Sequence, residues 1–248
     1  PDPDALASTA ALALILRRRF KRQVTVAYGG IIGRAENREM VRSLRLPLSH
    51  LRNVNKRNYS AFAMVDCQPW SGNSQLPRTV VPDLVIDHHP LRKSTLAAAT
   101  VDVRPRYGAT ATILAEYLEA SGLKPSRALA TGLVYAIRSE TQDFGREAAG
   151  PDHAAFDRLL PRIDRRMLAR NFSSNRGMLY EGTYWCDLEA GNVGDDDSGC
   201  LTREFTPDPC DEPAEPGDDP QDFGPLRGFI SALDALPAGG FYPAVQNL

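Results

Sequence analysis

Histidine, tryptophan and cysteine are all scarce in this chain, with 4, 2 and 4 copies among 248 residues. The four cysteines, Cys67, Cys186, Cys200 and Cys210, contain no CxxC pair, which argues against a zinc knuckle. Three of them crowd the last quarter, so a disulfide there stays open, but free thiols in a reducing compartment are the expectation. Long apolar runs are missing too. The nearest candidate, Ala5 to Leu16, is shorter than the ~20 residues a membrane helix needs and is interrupted by Ser8 and Thr9. It follows two aspartates and carries its basic cluster at the wrong end for a signal peptide. Aromatic residues make up 8%, a thin supply for a groove that stacks successive bases. These absences argue against a membrane span, and a cytoplasmic protein is the expectation.

What is present reads as a globular protein, with 42% hydrophobic and 24% charged residues. The length suits one large domain or two small ones. The formal net charge of -2 conceals an asymmetry. Residues 1–185 carry 27 Lys and Arg against 17 Asp and Glu, a net of about +10. Residues 186–223 carry 13 acidic residues and only Arg203, a net of about -12. A basic body suits a polyanionic substrate; arginine serving only as the surface cation is the plainer explanation.

The first 165 residues alternate between strand and helix patterns. Asp4 is placed to cap a helix through Ala5–Arg19. Gln23–Tyr28 reads as a strand closed by Gly29-Gly30, Arg34–Leu44 as a helix, and Leu44–Leu48 as a short strand. Tyr59–Val65 and Leu84–Ile86 are continuous apolar strands, the pattern of a sheet covered on both faces. Ala97–Val103 is a further strand; Gly108–Ala120, Pro125–Arg138, Asp152–Leu160 and Asp164–Asn171 read as helices. The fold class is therefore α/β, a mostly parallel twisted sheet flanked by helices, with a small irregular C-terminal region. Residues 187–225, rich in Pro, Gly and Asp, read as loop or disorder, followed by one short helix over Phe229–Leu236. The domain division is 1–165 for the α/β body, 166–185 for a connecting helix or linker, and 186–248 for the acidic C-terminal region.

Chemistry concentrates at predicted strand ends. Asp83-Leu84-Val85-Ile86 runs into Asp87-His88-His89, Phe62-Ala63-Met64-Val65 runs into Asp66, and the sequence opens with Pro1-Asp2-Pro3-Asp4. In open parallel sheets, ligands bind beyond the carboxyl ends of the strands. Aspartates and a histidine converging there make an oxygen-rich site for a hard cation, Mn²⁺ or Mg²⁺. For each residue the plainer role is a helix cap or a solvated loop.

Four segments in order, Pro1-Asp2-Pro3-Asp4-Ala5, Val65-Asp66-Cys67-Gln68-Pro69, Asp87-His88-His89-Pro90 and Arg138-Ser139-Glu140-Thr141, resemble the motifs of the DHH phosphoesterase family. Gly108-Ala109-Thr110-Ala111-Thr112 is similar to the branch of that family containing nanoRNases, pAp phosphatases and cyclic-dinucleotide phosphodiesterases. The resemblance implies a two-metal centre holding Mn²⁺, with Mg²⁺ as the alternative. Asp2, Asp4, Asp66, His88 and Glu140 would be ligands, Asp66 bridging. His89 would touch the scissile phosphate, and Asp87 would orient the neighbouring imidazole. Arg104, Arg106 and Gly108 are candidates for substrate binding near a helix start. Glu140 stands where the family has aspartate, and the family's upstream histidine would fall before Pro1. The glycine-rich Gly-Gly-x-His motif of the family's second domain is not matched by Gly239-Gly240-Phe241-Tyr242. The implied function is hydrolysis of short oligonucleotides, cyclic dinucleotides or pAp-type nucleotides. A nucleotide-binding module without turnover and a RecJ-like single-strand exonuclease are the alternatives. The expected partner is a nucleotide or short oligonucleotide, with no membrane and with a homodimer as one oligomeric state to look for.

Overall fold

The computed structural model describes residues 1–71, 74, 76–173 and 240–245. Six parallel strands form one sheet in the order β2-β1-β6-β3-β4-β5, flanked by helices. The strands are β1 (Val26–Tyr28), β2 (Leu48–His50), β3 (Tyr59–Val65), β4 (Leu84–Asp87), β5 (Thr100–Val103) and β6 (Gly240–Val245). The apolar runs in β3 and β4 pair in register, Val65 with Ile86, and every residue of β4 is buried. A strand covered on both faces has no polar side to show, hence no alternation in its sequence. The expected α/β architecture is what the chain adopts.

The helices are α1 (Pro3–Arg18), α2 (Ala35–Leu44), α3 (Thr110–Ala120), α4 (Arg127–Glu140), α5 (Gly150–Leu159) and α6 (Arg165–Ser173). Helix α1 is the buried axle of the molecule. Leu6, Leu12, Ile15 and Leu16 are fully buried in the main core with Ile113, Leu114, Leu133 and Val134 of α3 and α4. Each such side chain contributes roughly 1.5–3 kcal/mol of burial free energy. Ser8 and Thr9, which made this segment unsuitable for lipid, are buried as well. Among the described residues no helix is long and apolar enough to cross a membrane.

Several boundaries differ from expectation. Asp2, not Asp4, caps α1: its Oδ1 accepts from the Ala5 amide at 2.8 Å, and Pro3 occupies the first helical position. The strand expected over Leu44–Leu48 begins only at Leu48, because α2 runs to Leu44. Its end closes with Arg45 in the left-handed region and the Leu46 amide bonded back to the Val41 carbonyl. The strand read over Ala97–Val103 starts at Thr100, after a 3₁₀ turn over Lys93–Ala97. Ser126 caps α4, accepting from the Leu129 amide, so Pro125 precedes the cap. Strand β6 lies between β1 and β3, at the centre of the sheet, and was not expected from its sequence. The acidic segment, the Phe229–Leu236 helix, Cys186, Cys200 and Cys210 lie outside the described residues.

Candidate metal centre

The parallel sheet delivers β3 and β4 to the same edge, so Asp66 and Asp87-His88-His89 emerge side by side. The amide of Asp66 continues the ladder by donating to the Ile86 carbonyl at 2.9 Å. Asp66 itself sits at φ 61°, a left-handed conformation that aspartate tolerates better than most residues. Helix α1 brings Asp2 and Asp4 to this edge by its N-terminus, and α4 brings Glu140 by its C-terminus.

His88 is the pivot. Its Nδ1 donates to the Tyr107 carbonyl at 3.2 Å. A carbonyl can only accept, so the proton is on Nδ1 and Nε2 presents a lone pair. That nitrogen is buried and has no hydrogen-bond partner. Around it stand Asp4 Oδ2 at 3.8 Å, Asp66 Oδ1 at 3.8 Å and Glu140 Oε1 at 3.9 Å. The ligating atoms of Asp66, His88 and His89 also lie within 4.8 Å of one another. A buried lone pair facing carboxylate oxygens is repulsive by itself and is relieved by a cation among them. The donor set therefore fits a divalent ion.

The titration behaviour follows from crowding. Burial, then the charge of Asp2, raises the Asp4 carboxyl to about 7. Asp66 is pushed well above the ordinary range by burial and then by Asp4, Asp2 and Asp87. Glu140 rises for the same first reason, with Asp4 next. Burial lowers His88, and the neighbouring His89 lowers it further, so the imidazole stays neutral and ligand-ready. A positive ion at this point would reverse the carboxylate shifts.

Two side chains are held fast by groups beyond the cluster. Asp4 accepts the Thr110 and Ala111 amides at 2.8 and 2.7 Å and the Ser8 hydroxyl at 3.2 Å. It thus caps α3, whose N-cap, Ala109, has no side-chain acceptor. Thr110 in turn donates its hydroxyl to Asp66 Oδ1 at 2.8 Å. Asp87 faces away from His88: its Oδ1 receives His89 Nδ1 at 2.8 Å and its Oδ2 receives Gln68 Nε2 at 2.7 Å. Burial opposes its charge, but His89 and Gln68 outweigh burial and hold the carboxyl below its ordinary value. The same bond raises His89. Gln68 is anchored from its other end, its Oε1 accepting the Arg92 amide at 2.8 Å and the Thr95 hydroxyl at 2.6 Å. Beside His89 a cavity of about 280 Å³ opens, lined by Cys67, Ser71, Leu91 and Arg92 among others. Cys67 is neutral there, its thiol raised well above its ordinary value by burial.

Of the residues singled out by sequence, Asp4, Asp66, His88, His89 and Glu140 are brought together. Asp2 is half-buried beside them as the cap of α1. Arg104 is not in the cluster. Asp102 holds its guanidinium by two bonds of 2.8 and 2.9 Å, and Glu116 takes a third at 2.7 Å, which uses the donors a phosphate would need. Arg106 is exposed. Gly108 is buried, and a Cβ there would lie 2.5 Å from Thr141 Cγ2 and 2.9 Å from Asp152 Oδ2, so its role is close packing. Thr110, Gln68 and Tyr107 were not assigned roles from sequence. Thr110 and Gln68 had a signal, each lying in a family-like segment; Tyr107 acts through a backbone carbonyl that carries none.

A sheet edge with carboxylates around a buried imidazole lone pair is a donor set that suits a cation in an α/β protein. The model for the N-terminal domain of the DHH family matches residues 1–137, and the chain belongs to that family. It is 41% identical over 169 residues to the uncharacterized protein MJ1633 of Methanocaldococcus jannaschii, an alignment covering 68% of this chain and 34% of that protein. The chain thus spans about a third of that relative's length. Among solved structures, an exopolyphosphatase-related protein from Bacteroides fragilis is similar at a TM-score of 0.41 and 11% identity, covering 66% of this chain and 60% of the other.

Proposed function

We propose that this protein is a Mn²⁺-dependent phosphoesterase acting on short oligonucleotides, cyclic dinucleotides or pAp-type nucleotides, with Mg²⁺ as a substitute ion. The observation that carries this reading is His88 Nε2, buried, unpartnered and within 3.9 Å of three carboxylates. Asp2, Asp4, Asp66, His88 and Glu140 are the residues that would hold the ions. Two such ions, when bound, lower the pKa of a shared water and neutralise phosphoryl oxygens.

The remaining work falls to the chain. Tyr107 keeps the His88 proton on Nδ1. Thr110 and the α3 amides fix Asp66 and Asp4 before substrate arrives, so no side chain must reorganise during the reaction. His89, its Nδ1–H held by Asp87 and made more basic by it, offers Nε2–H to a phosphoryl oxygen in its imidazolium form and neutralises developing charge. Gln68 holds Asp87, and through it His89, in place. The body through residue 165, completed by β6 (Gly240–Val245), is the catalytic unit in this reading, and residues 186–239 belong to substrate handling.

Mn²⁺-dependent release of mononucleotides from a short RNA tests the proposal. His88→Ala and Asp66→Ala are expected to lower the rate roughly a thousand-fold or more. Nucleotide binding without turnover at saturating Mn²⁺ would instead support a regulatory module.

A further inference from the structure

His88 sits in a field that works against its own ligand role. Asp4, Asp66 and Glu140 all face Nε2 at 3.8–3.9 Å, and each attracts a proton to that nitrogen. A proton there would point at the three carboxylates and occupy the lone pair that a metal requires. Among the described residues, the Tyr107 carbonyl, at 3.2 Å from Nδ1, draws the proton the other way. The position of one backbone oxygen therefore decides whether the imidazole is a ligand.

That oxygen is unusually well held. The Tyr107 amide donates to the Arg104 carbonyl at 3.0 Å, and the Arg104 amide donates to the Asp87 carbonyl at 2.9 Å, which ties the turn to β4 one residue before His88. The Tyr107 hydroxyl donates to Glu116 Oε1 at 3.1 Å and receives Arg104 Nη1 at 3.2 Å. The guanidinium lies over the Tyr107 ring, 5.2 Å from its centroid, and 5.6 Å from that of Tyr117. Asp102 grips the guanidinium by two bonds, and Tyr117 donates its hydroxyl to Asp102 from below. Arginine suits this junction because its planar fork serves two carboxylates while its face stacks on rings, which a lysine ammonium cannot do.

From this geometry we infer that Arg104 is a positioning residue for the metal centre: through Tyr107 it holds the His88 proton on Nδ1 and keeps Nε2 available to a cation. The inference rests on the metal-centre reading for its effect on affinity, but the proton position can be read without any metal. Arg104 thus acts on the imidazole and not on phosphate.

The test pairs two measurements on the full chain, Mn²⁺ affinity by titration calorimetry and the His88 tautomer from its imidazole ¹⁵N shifts in metal-free protein. Arg104→Gln is expected to weaken Mn²⁺ binding about 10–100-fold, the usual effect of losing a group that orients a ligand, and to shift the tautomer toward Nε2–H. Arg104→Lys should restore little of either. Tyr107→Phe keeps the Arg104–Asp102 pair and the ring, so it should cost a smaller, several-fold loss, and it decides the matter if Arg104→Gln does not fold. Unchanged affinity and tautomer in a folded variant would overturn the inference. Wild-type protein and His88→Ala that both fail to bind Mn²⁺ would overturn the metal-centre reading instead, while the tautomer comparison still tests the clamp.

Discussion

Asp4 accepts the Thr110 and Ala111 amides and also lies 3.8 Å from His88 Nε2, so one carboxylate serves both a helix end and the cluster. Burial and Asp2 raise it from an ordinary 3.8 to about 7. Between those values the folded protein keeps a proton that the unfolded chain has released, so stability is fullest below about pH 4 and is lost as pH rises through about 7. Asp66 and Glu140 shift the same way; His88, lowered by burial, works oppositely below its ordinary 6.5 but is outnumbered. In chelator, the urea midpoint should therefore fall between about pH 4.5 and about pH 7.5, and saturating Mn²⁺ should remove the fall. A midpoint that holds steady in chelator across that range would contradict the crowding of these carboxyls. The site was partly legible at this scale. Asp66, His88 and His89 stood out because they end apolar strands and recur in order with Asp2-Pro3-Asp4 and Glu140, where any one alone would read as a cap or a solvated loop. Arg104 was read as a phosphate contact because a cation ahead of a glycine and a helix suggests one, while Glu116, which also takes its guanidinium, lies on another element and leaves no local pattern.

Helix α3 shows what element-level patterns miss. Its N-cap is an alanine, and the Thr110 and Ala111 amides both donate to Asp4, more than a hundred residues away in sequence, while the Thr110 hydroxyl donates to Asp66. Just before it, Gly108 donates its amide to Asp152 Oδ2 at 2.8 Å, an oxygen that also accepts the Ala149 amide at 2.8 Å; the other oxygen accepts the Thr112 hydroxyl. Asp152 is fully buried and ties the starts of α3 and α5 together. Replacing it with alanine strands two buried donors, each worth about 1–3 kcal/mol, and a half-buried third. Asp152→Ala should lower unfolding free energy by about 3 kcal/mol or more in denaturant titrations; a loss below about 1 kcal/mol would show that water replaces the carboxylate. Gly108→Ala should cost about 1–3 kcal/mol by overpacking against Thr141 and Asp152, measured in the same way. Helix and strand existence was legible from periodicity, whereas boundaries moved where a local closure such as Arg45 or a cap such as Ser126 fixed them. Strand β6 escaped notice because Pro243 interrupts a short pattern and its partners, β1 and β3, are distant in sequence.

Across the whole molecule, the excess of Lys and Arg in residues 1–185 contrasts with the carboxylates gathered at one sheet edge. Substrate phosphates would meet a positive body outside and cations within. Neutralising about two phosphates of a dinucleotide predicts a KM that rises roughly seven-fold between about 50 and about 200 mM salt, with kcat little changed. A KM independent of salt would assign the arginines to solvation alone. A mostly parallel sheet was legible because strands alternated with helices, and that topology places the candidate ligands at one edge without any residue having to announce its partners. The most direct measurement is anomalous diffraction at the manganese edge from crystals grown with Mn²⁺. Two peaks within ligand distance of Asp66, one of them also on His88 Nε2, are the predicted result. A fully ordered Asp66–His88–Glu140 cluster with no peak beside it would contradict the account.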